Sequence, residues 1–124
     1  MSTARQPNVL LVDDEALVRE TAAERLRADG MQVLEAAAGA QALALLAEHP
    51  EIDVLFTDVR MPGGMDGVAL ACEVRRTHPR LHLILTSGRW THAGDEVPDG
   101  AVFLQKPYSL DAVAQLVQQL VKRT

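Results

Sequence analysis

The chain has 124 residues, 48% of them hydrophobic and 23% charged, with a formal net charge of -5. That length fits one domain with one core, and the composition excludes wholesale disorder, a collagen-like repeat and, with Cys72 the single cysteine, a disulfide scaffold. The acidic balance, with ten arginines and two lysines scattered along the chain, speaks against direct nucleic-acid binding, and the short apolar runs and polar first residues speak against a membrane span or leader, so a cytoplasmic protein is expected.

In chain order, residues 1–7 read as a tail and residues 8–124 as the folded domain. Val9-Leu10-Leu11-Val12 is a short continuous apolar run, the pattern of a strand buried on both faces. From Glu15 to Asp29 the apolar residues Leu17, Val18, Ala22 and Leu26 predict an inward stripe on a first helix, and Gly30 supplies its left-handed stop. Val33-Leu34 predicts a second strand. Ala40, Leu43, Ala44 and Ala47 predict a second helix over Gly39 to His49, ended by Pro50. Val54-Leu55-Phe56 is a third strand. Arg60-Met-Pro-Gly-Gly-Met-Asp-Gly67 is loop chemistry. Val68 to His78 is a third helix, with Leu70, Ala71 and Val74 inward. Leu83-Ile84-Leu85 and Ala101-Val102-Phe103-Leu104 are the fourth and fifth strands. Ser109 caps a last helix, with Asp111 in its first turn and Leu110, Val113, Leu116, Val117 and Leu120 as its buried stripe. Between strands four and five the periodicity breaks: Gly88 to Gly100 predicts a loop, or at most a turn or two of helix.

Strands alternating with helices imply an α/β domain, a doubly wound, five-stranded parallel sheet covered on both faces. Sites in such sheets lie at the carboxyl ends of the strands. That rule selects Asp13-Asp14, Asp58, Thr86-Ser87 and Lys106-Pro107 before any motif is consulted. Carboxylates converging on one rim repel one another unless a cation joins them. All-oxygen ligation suits Mg²⁺, which keeps several waters and takes a few carboxylates plus a phosphate. A lysine and a hydroxyl on neighbouring strands add a point charge and a donor for a tetrahedral anion. A carboxylate can also attack phosphorus to form an acyl phosphate. Singly these residues say little, since Asp after a strand is common as a helix cap. Jointly they read as a magnesium and phosphate site.

Leu11-Val-Asp-Asp-Glu15, Thr57-Asp-Val-Arg-Met-Pro62, Met65-Asp-Gly67, Leu85-Thr-Ser-Gly88 and Lys106-Pro-Tyr108 together resemble the motifs of response regulator receiver domains of two-component signalling, in the same order and over essentially the whole chain. The resemblance implies a flavodoxin-like receiver fold with strand order 2-1-3-4-5. It implies a phosphorylation switch rather than an enzyme acting on outside substrates. Asp58 is then the phosphoacceptor, charged from a phosphohistidine on a sensor histidine kinase or a histidine phosphotransfer protein. Asp14 binds Mg²⁺ directly and Asp13 directly or through water. The backbone carbonyl of Arg60 completes the metal site, and its side chain faces the entrance. Lys106 pairs with the phosphate. Thr86 is the switch hydroxyl, with Ser87 beside it as the alternative and a further phosphate contact. Phe103 is the aromatic switch residue. The family's cis peptide falls at Lys106-Pro107. A downstream protein partner is implied, and pairing of two copies is open.

The sequence departs from the commonest family pattern in three places. Gly63-Gly64 lengthens its loop by one residue. The helix between strands four and five is shortened or absent. Thr86 and Ser87 stand side by side where one hydroxyl is needed. Two other readings use the same residues: a magnesium-dependent phosphohydrolase with Asp58 as nucleophile, and a docking module that is never phosphorylated. The chain has no evident lid or second general acid for the first, and the complete set of Asp14, Asp58, Thr86 and Lys106 argues against the second. Trp90, in a polar loop, either anchors that loop or meets a partner. The histidines lack metal-ligand spacing, and Cys72 reads as a packed residue of the third helix.

Overall fold

Apolar runs bounded by polar residues become strands when helices can cover both of their faces. In a computed structural model, which describes residues 6–60, 65–88 and 98–122, five such runs form one parallel sheet. The strands are β1 (Asn8–Val12), β2 (Gln32–Ala36), β3 (Val54–Asp58), β4 (His82–Ser87) and β5 (Val102–Gln105). Their order is β2-β1-β3-β4-β5, as the family resemblance implies. The helices are α1 (Ala16–Ala28), α2 (Gly39–Glu48), α3 (Gly67–Thr77) and α4 (Leu110–Lys122). Pro7, assigned to the tail from sequence, is buried, and its carbonyl accepts a hydrogen bond from the Gln32 amide at 2.9 Å.

Period-two alternation sorts the strand residues into two cores. Val9, Leu11, Val33, Val54, Phe56 and Ile84 pack on one face under α1 and α4, against Ala22, Ala23, Leu26, Val113 and Val117. Leu10, Val12, Leu55, Leu83 and Leu85 pack on the other face under α2 and α3, against Ala42, Leu46, Leu70, Ala71 and Val74. The caps are partly those expected. Gly30, at φ +90°, ends α1, with its amide bonded to the Arg27 carbonyl and the Met31 amide bonded to the Leu26 carbonyl. The Ser109 hydroxyl accepts from the Ala112 amide at 3.0 Å to start α4. Asp66 caps α3 by accepting from the Ala69 amide at 2.8 Å.

The buried stripe of α1 differs from the expected one. Leu17 is 78% exposed and Val18 40% exposed, whereas Ala22, Ala23 and Leu26 are buried. At about 100° per residue, Leu17 lies roughly half a turn from Leu26, so the two cannot share the face that meets the sheet. The inward line through Leu26 and Ala22 runs instead to Arg19. The last helix also shifts slightly: Val113, Ala114, Val117 and Val121 are buried, while Leu110, Leu116 and Leu120 are half-buried at its flank. Cys72, expected to be packed, is exposed. In the connection from β4 to β5, Gly88 and residues 98–101 contain no helix, and residues 89–97, Trp90 among them, lie outside the described residues. So do residues 61–64, which include Gly63-Gly64.

The two faces of α1 give a direct test. Leu26→Ala is expected to cost about 2–5 kcal/mol of unfolding free energy, because it opens a cavity in a core that is fully closed around it. Leu17→Ala is expected to stay within about 0.5 kcal/mol of the parent. Urea denaturation of the two variants measures both.

Candidate functional site

The strand register brings the polar strand ends together. β1 pairs with β3 at Val12 and Thr57, and β3 pairs with β4 at Asp58 and Thr86. Asp13, one step beyond Val12, is therefore the neighbour of Asp58, and Thr86 is its neighbour on the other side. All three are buried: Asp13 is 5%, Asp58 7% and Thr86 2% exposed. Two carboxylates are thus held side by side where water cannot shield them well.

Lysine supplies the compensating charge. The Lys106 Nζ donates to Asp58 Oδ2 at 2.7 Å, and the Arg60 amide donates to Asp58 Oδ1 at 3.1 Å. Lys106 reaches this point because its own amide extends the β5 ladder to the Ser87 carbonyl at 2.8 Å, just before the chain turns through a cis Lys106-Pro107 bond. Burial pulls the Lys106 pKa down, but the hydrogen bond and charge of Asp58, with Asp13 behind it, outweigh burial and hold it above the usual lysine value. At Asp13 the balance runs the other way for an acid. Burial raises its pKa most, the Glu15 amide on Oδ1 at 2.9 Å opposes this, and the charges of Asp58 and Asp14 add to the rise against the pull of Lys106.

A second set of contacts fixes the loop after β1. Arg19 Nη1 donates to the Asp13 carbonyl at 2.8 Å, and its Nε pairs with Glu35 Oε1 of β2 at 3.1 Å. Arg27 pairs with the other Glu35 oxygen at 3.3 Å. The loop after β3 is clipped at both ends. The Val59 amide bonds the Thr86 carbonyl, and the Gly67 amide bonds the Val59 carbonyl, each at 2.8 Å. A Cβ at Gly67 would lie 2.1 Å from the Asp58 carbonyl oxygen, so only glycine permits this approach.

Of the expected site residues, Asp13, Asp58, Thr86 and Lys106 meet, and Ser87, 3% exposed, ends β4 beside them. Asp14 and Arg60 are exposed at the rim. The expected convergence of three carboxylates is not met: among the described residues, no group of three or more His, Cys, Asp or Glu side chains is placed to hold a metal ion. Alternation explains it, since Asp14 follows Asp13 and turns outward. The oxygen pair of Asp13 and Asp58 still fits a hard divalent cation that keeps its waters; burial raises the pKa of Asp13 most, and the neighbouring charge of Asp58 adds to the rise.

Thr86 and Phe103, the two expected switch residues, are not register neighbours. The register sets Leu85 beside Phe103 and Thr86 beside Leu104. Phe103 packs in the core under α2 and α3, and Leu104 packs in the core under α1 and α4. Thr86 and Phe103 therefore point to opposite faces of the sheet, and it is Ser87 that has the parity of Phe103. Tyr108 packs edge-on against Phe56 on the side covered by α1 and α4, with ring centroids 5.9 Å apart. Tyr108, Arg19, Glu35 and Gly67 had no role assigned from sequence. The usable signals were the position of Arg19 on the inward line of α1 and that of Tyr108 two residues after the single site lysine.

The raised pKa of Asp13 has a consequence for stability. A carboxyl whose pKa is higher in the folded chain than in the unfolded one favours folding fully at low pH, and that contribution is lost as pH rises through the folded pKa. Asp13→Asn removes the buried charge and keeps the oxygen that accepts from the Glu15 amide. It is expected to raise the melting temperature at pH 7, with the gain shrinking towards acid pH. Thermal melts across that range decide it; a lower melting temperature at pH 7 would contradict the charge balance described here.

With this geometry in place, similarities to known proteins become informative. Residues 9–118 match the family described as response regulator receiver domain. The chain is 40% identical over 119 residues to the sensor kinase CckA of Brucella abortus (strain 2308), covering 93% of this chain and 12% of that protein. It is 33% identical over 116 residues to the DNA-binding transcriptional regulator NtrC of Escherichia coli (strain K12), covering 91% of this chain and 24% of that protein. The chain thus spans only a small part of the length of these relatives. The crystal structure of the receiver domain from the hybrid histidine kinase CckA superposes with a TM-score of 0.79 at 37% identity, covering 92% of this chain and 98% of that one. The chain belongs to the response regulator receiver domain family of two-component systems.

Proposed function

We propose that Asp58 of this receiver accepts a phosphoryl group from a phosphohistidine, on a sensor histidine kinase or a histidine phosphotransfer protein, and that the loaded site alters a surface read by a downstream protein. The observation that carries this reading is the buried Asp58 carboxylate, ion-paired to Lys106 at 2.7 Å with Asp13 as its neighbour. One Asp58 oxygen attacks phosphorus, the phosphorus–nitrogen bond of the donor breaks, and the departing imidazole keeps the electron pair and takes up a proton. Lys106 then faces a phosphoryl oxygen instead of the bare carboxylate, so its charge stays compensated through the transfer. The Arg60 amide, already on Asp58 Oδ1, keeps the carboxylate oriented.

Mg²⁺ is the cation this donor set suits, held by Asp13 and Asp58 with Asp14 and the Arg60 carbonyl at the rim, and when bound it supplies charge to neutralise the phosphoryl oxygens. The hydroxyls of Thr86 and Ser87 stand at the next strand end, within the same rim. Thr86, the register neighbour of Asp58 and on the same face of the sheet, is the switch hydroxyl in this reading, with Ser87 as the alternative and Phe103 as the aromatic switch residue. In this reading the domain acts as a cytoplasmic signalling module that works through proteins. Among the described residues no helix is long and apolar enough to cross a membrane.

Intact mass after incubation with acetyl phosphate tests the chemistry. A single phosphoryl adduct is expected in the presence of Mg²⁺, and none is expected without it or in Asp58→Asn. An adduct that persists in Asp58→Asn, or no adduct from either acetyl phosphate or a phosphohistidine donor, would overturn the reading.

A further inference from the structure

The loop between β1 and α1 carries Asp13 and Asp14 and has little of its own to hold it. The register of β1 with β2 ends at Val12 and Ala36, and one further bond, from the Asp13 amide to the Ala36 carbonyl at 3.1 Å, closes the ladder. Glu15, at the N-cap of α1, makes no capping bond through its side chain. The helix start therefore lacks the usual side-chain clasp on the residues before it. Arg19 supplies a clasp from within the helix. Its amide donates to the Glu15 carbonyl at 2.9 Å, which sets its place in the first turn. Its Nη1 donates to the Asp13 carbonyl at 2.8 Å, and its Nε donates to Glu35 Oε1 at 3.1 Å. One rigid, planar guanidinium thus spans the loop and β2. Glu35 is held in turn by its strand and by Arg27 on its other oxygen. The Arg19 side chain is 15% exposed and that of Glu35 24%, so water and salt screen this pair less than an ordinary surface pair.

Asp13 is therefore tied to β2 from both ends, by its amide to Ala36 and by its carbonyl, through Arg19, to Glu35. The peptide between these ends leads into Asp14. We propose that Arg19 is a positioning residue for the divalent cation of this site: by holding the Asp13 carbonyl against Glu35, it fixes how the acidic pair after β1 is presented and raises its affinity for Mg²⁺. The affinity rests on the cation reading of Asp13 and Asp58 given above; the hold on the loop does not. Charge and geometry give opposite signs here. A guanidinium near a cation site repels the cation, so on charge alone its removal strengthens binding. Loss of the hold on the loop weakens it.

Arg19→Met keeps an unbranched stem on the inward line of α1 and removes both side-chain bonds. Arg27→Met removes a cation from the same Glu35 but touches nothing at Asp13, since the other Arg27 bond goes to the Val33 carbonyl at 2.7 Å. Arg19→Lys keeps the charge and loses the two-pronged fork. Titration with MgCl₂ at fixed ionic strength, followed through the backbone amide NMR signals of Asp14 and Glu15, gives each dissociation constant. Arg19→Met is expected to bind Mg²⁺ about tenfold more weakly than the parent, the scale seen when a group that orients a metal ligand is lost. Arg19→Lys is also expected to bind more weakly, and it carries the test should Arg19→Met fail to fold. Arg27→Met is expected to bind as tightly as the parent or slightly more so. Hydrogen exchange without metal reads the loop directly. The Glu15 amide, bonded to Asp13 Oδ1, is expected to exchange faster in Arg19→Met and at the parental rate in Arg27→Met. Unchanged or tighter Mg²⁺ binding in Arg19→Met, parental binding in Arg19→Lys, or an equal loss in Arg27→Met overturns the proposal. Should the parent bind no Mg²⁺, the cation reading falls, and the hold on the loop is still decided: equal exchange of the Glu15 amide in the parent and Arg19→Met overturns it.

Discussion

The cost of burying Asp13 beside Asp58 governs the rest of the site. Two carboxylates in adjacent strands, each less than one-tenth exposed, destabilise a folded chain unless positive charge reaches them. Lys106 reaches one of them directly, and its raised pKa records how strongly the pair holds it. The Glu15 and Arg60 amides supply one hydrogen bond to each carboxylate. What remains uncompensated is carried by Asp13, whose pKa stays high. The fold thus keeps a buried carboxylate, Asp13, beside the ion pair of Asp58 and Lys106.

The two faces of the sheet divide the work. Asp13, Asp58, Thr86 and Tyr108 belong to the side covered by α1 and α4, with Phe56 as the floor beneath them. Phe103 belongs to the side covered by α2 and α3, next to Leu85. The two groups of residues are separated by the thickness of a single sheet. Arg19 adds a connection from the Asp13 carbonyl to Glu35 on the outer strand β2.

Much of this was legible in the sequence, for a physical reason. Buried parallel strands must be nearly all apolar, so a polar residue that interrupts such a run marks a strand end. Asp13, Asp58, Ser87 and Lys106 are all of that kind. Strand order followed from the ordered motifs rather than from periodicity. What stayed hidden depends on parity and on neighbours. Leu17 and Val18 look like core residues until the sheet fixes which line of α1 faces inward. Thr86 and Ser87 are equivalent as a dipeptide, and only the register with β5 separates their faces. Tyr108 carries no sequence signal of its own beyond following Lys106-Pro107, because its ring partner Phe56 comes from a strand far away in the chain.

Gly67 has a consequence for how such a domain tolerates change. The bond from its amide to the Val59 carbonyl closes a clip directly after Asp58, and the bond from the Val59 amide to the Thr86 carbonyl anchors that clip to β4. The two bonds close a backbone ring between Val59 and Gly67 whose stem is anchored on β4. Loop length is then a free variable in divergence: a residue gained or lost within the ring leaves the position of Asp58 and the start of α3 unchanged. The cost of enlarging a loop rises only slowly with its length. An added residue between Val59 and Gly67 is therefore the kind of insertion a lineage can fix without rebuilding the ends of β3 and β4.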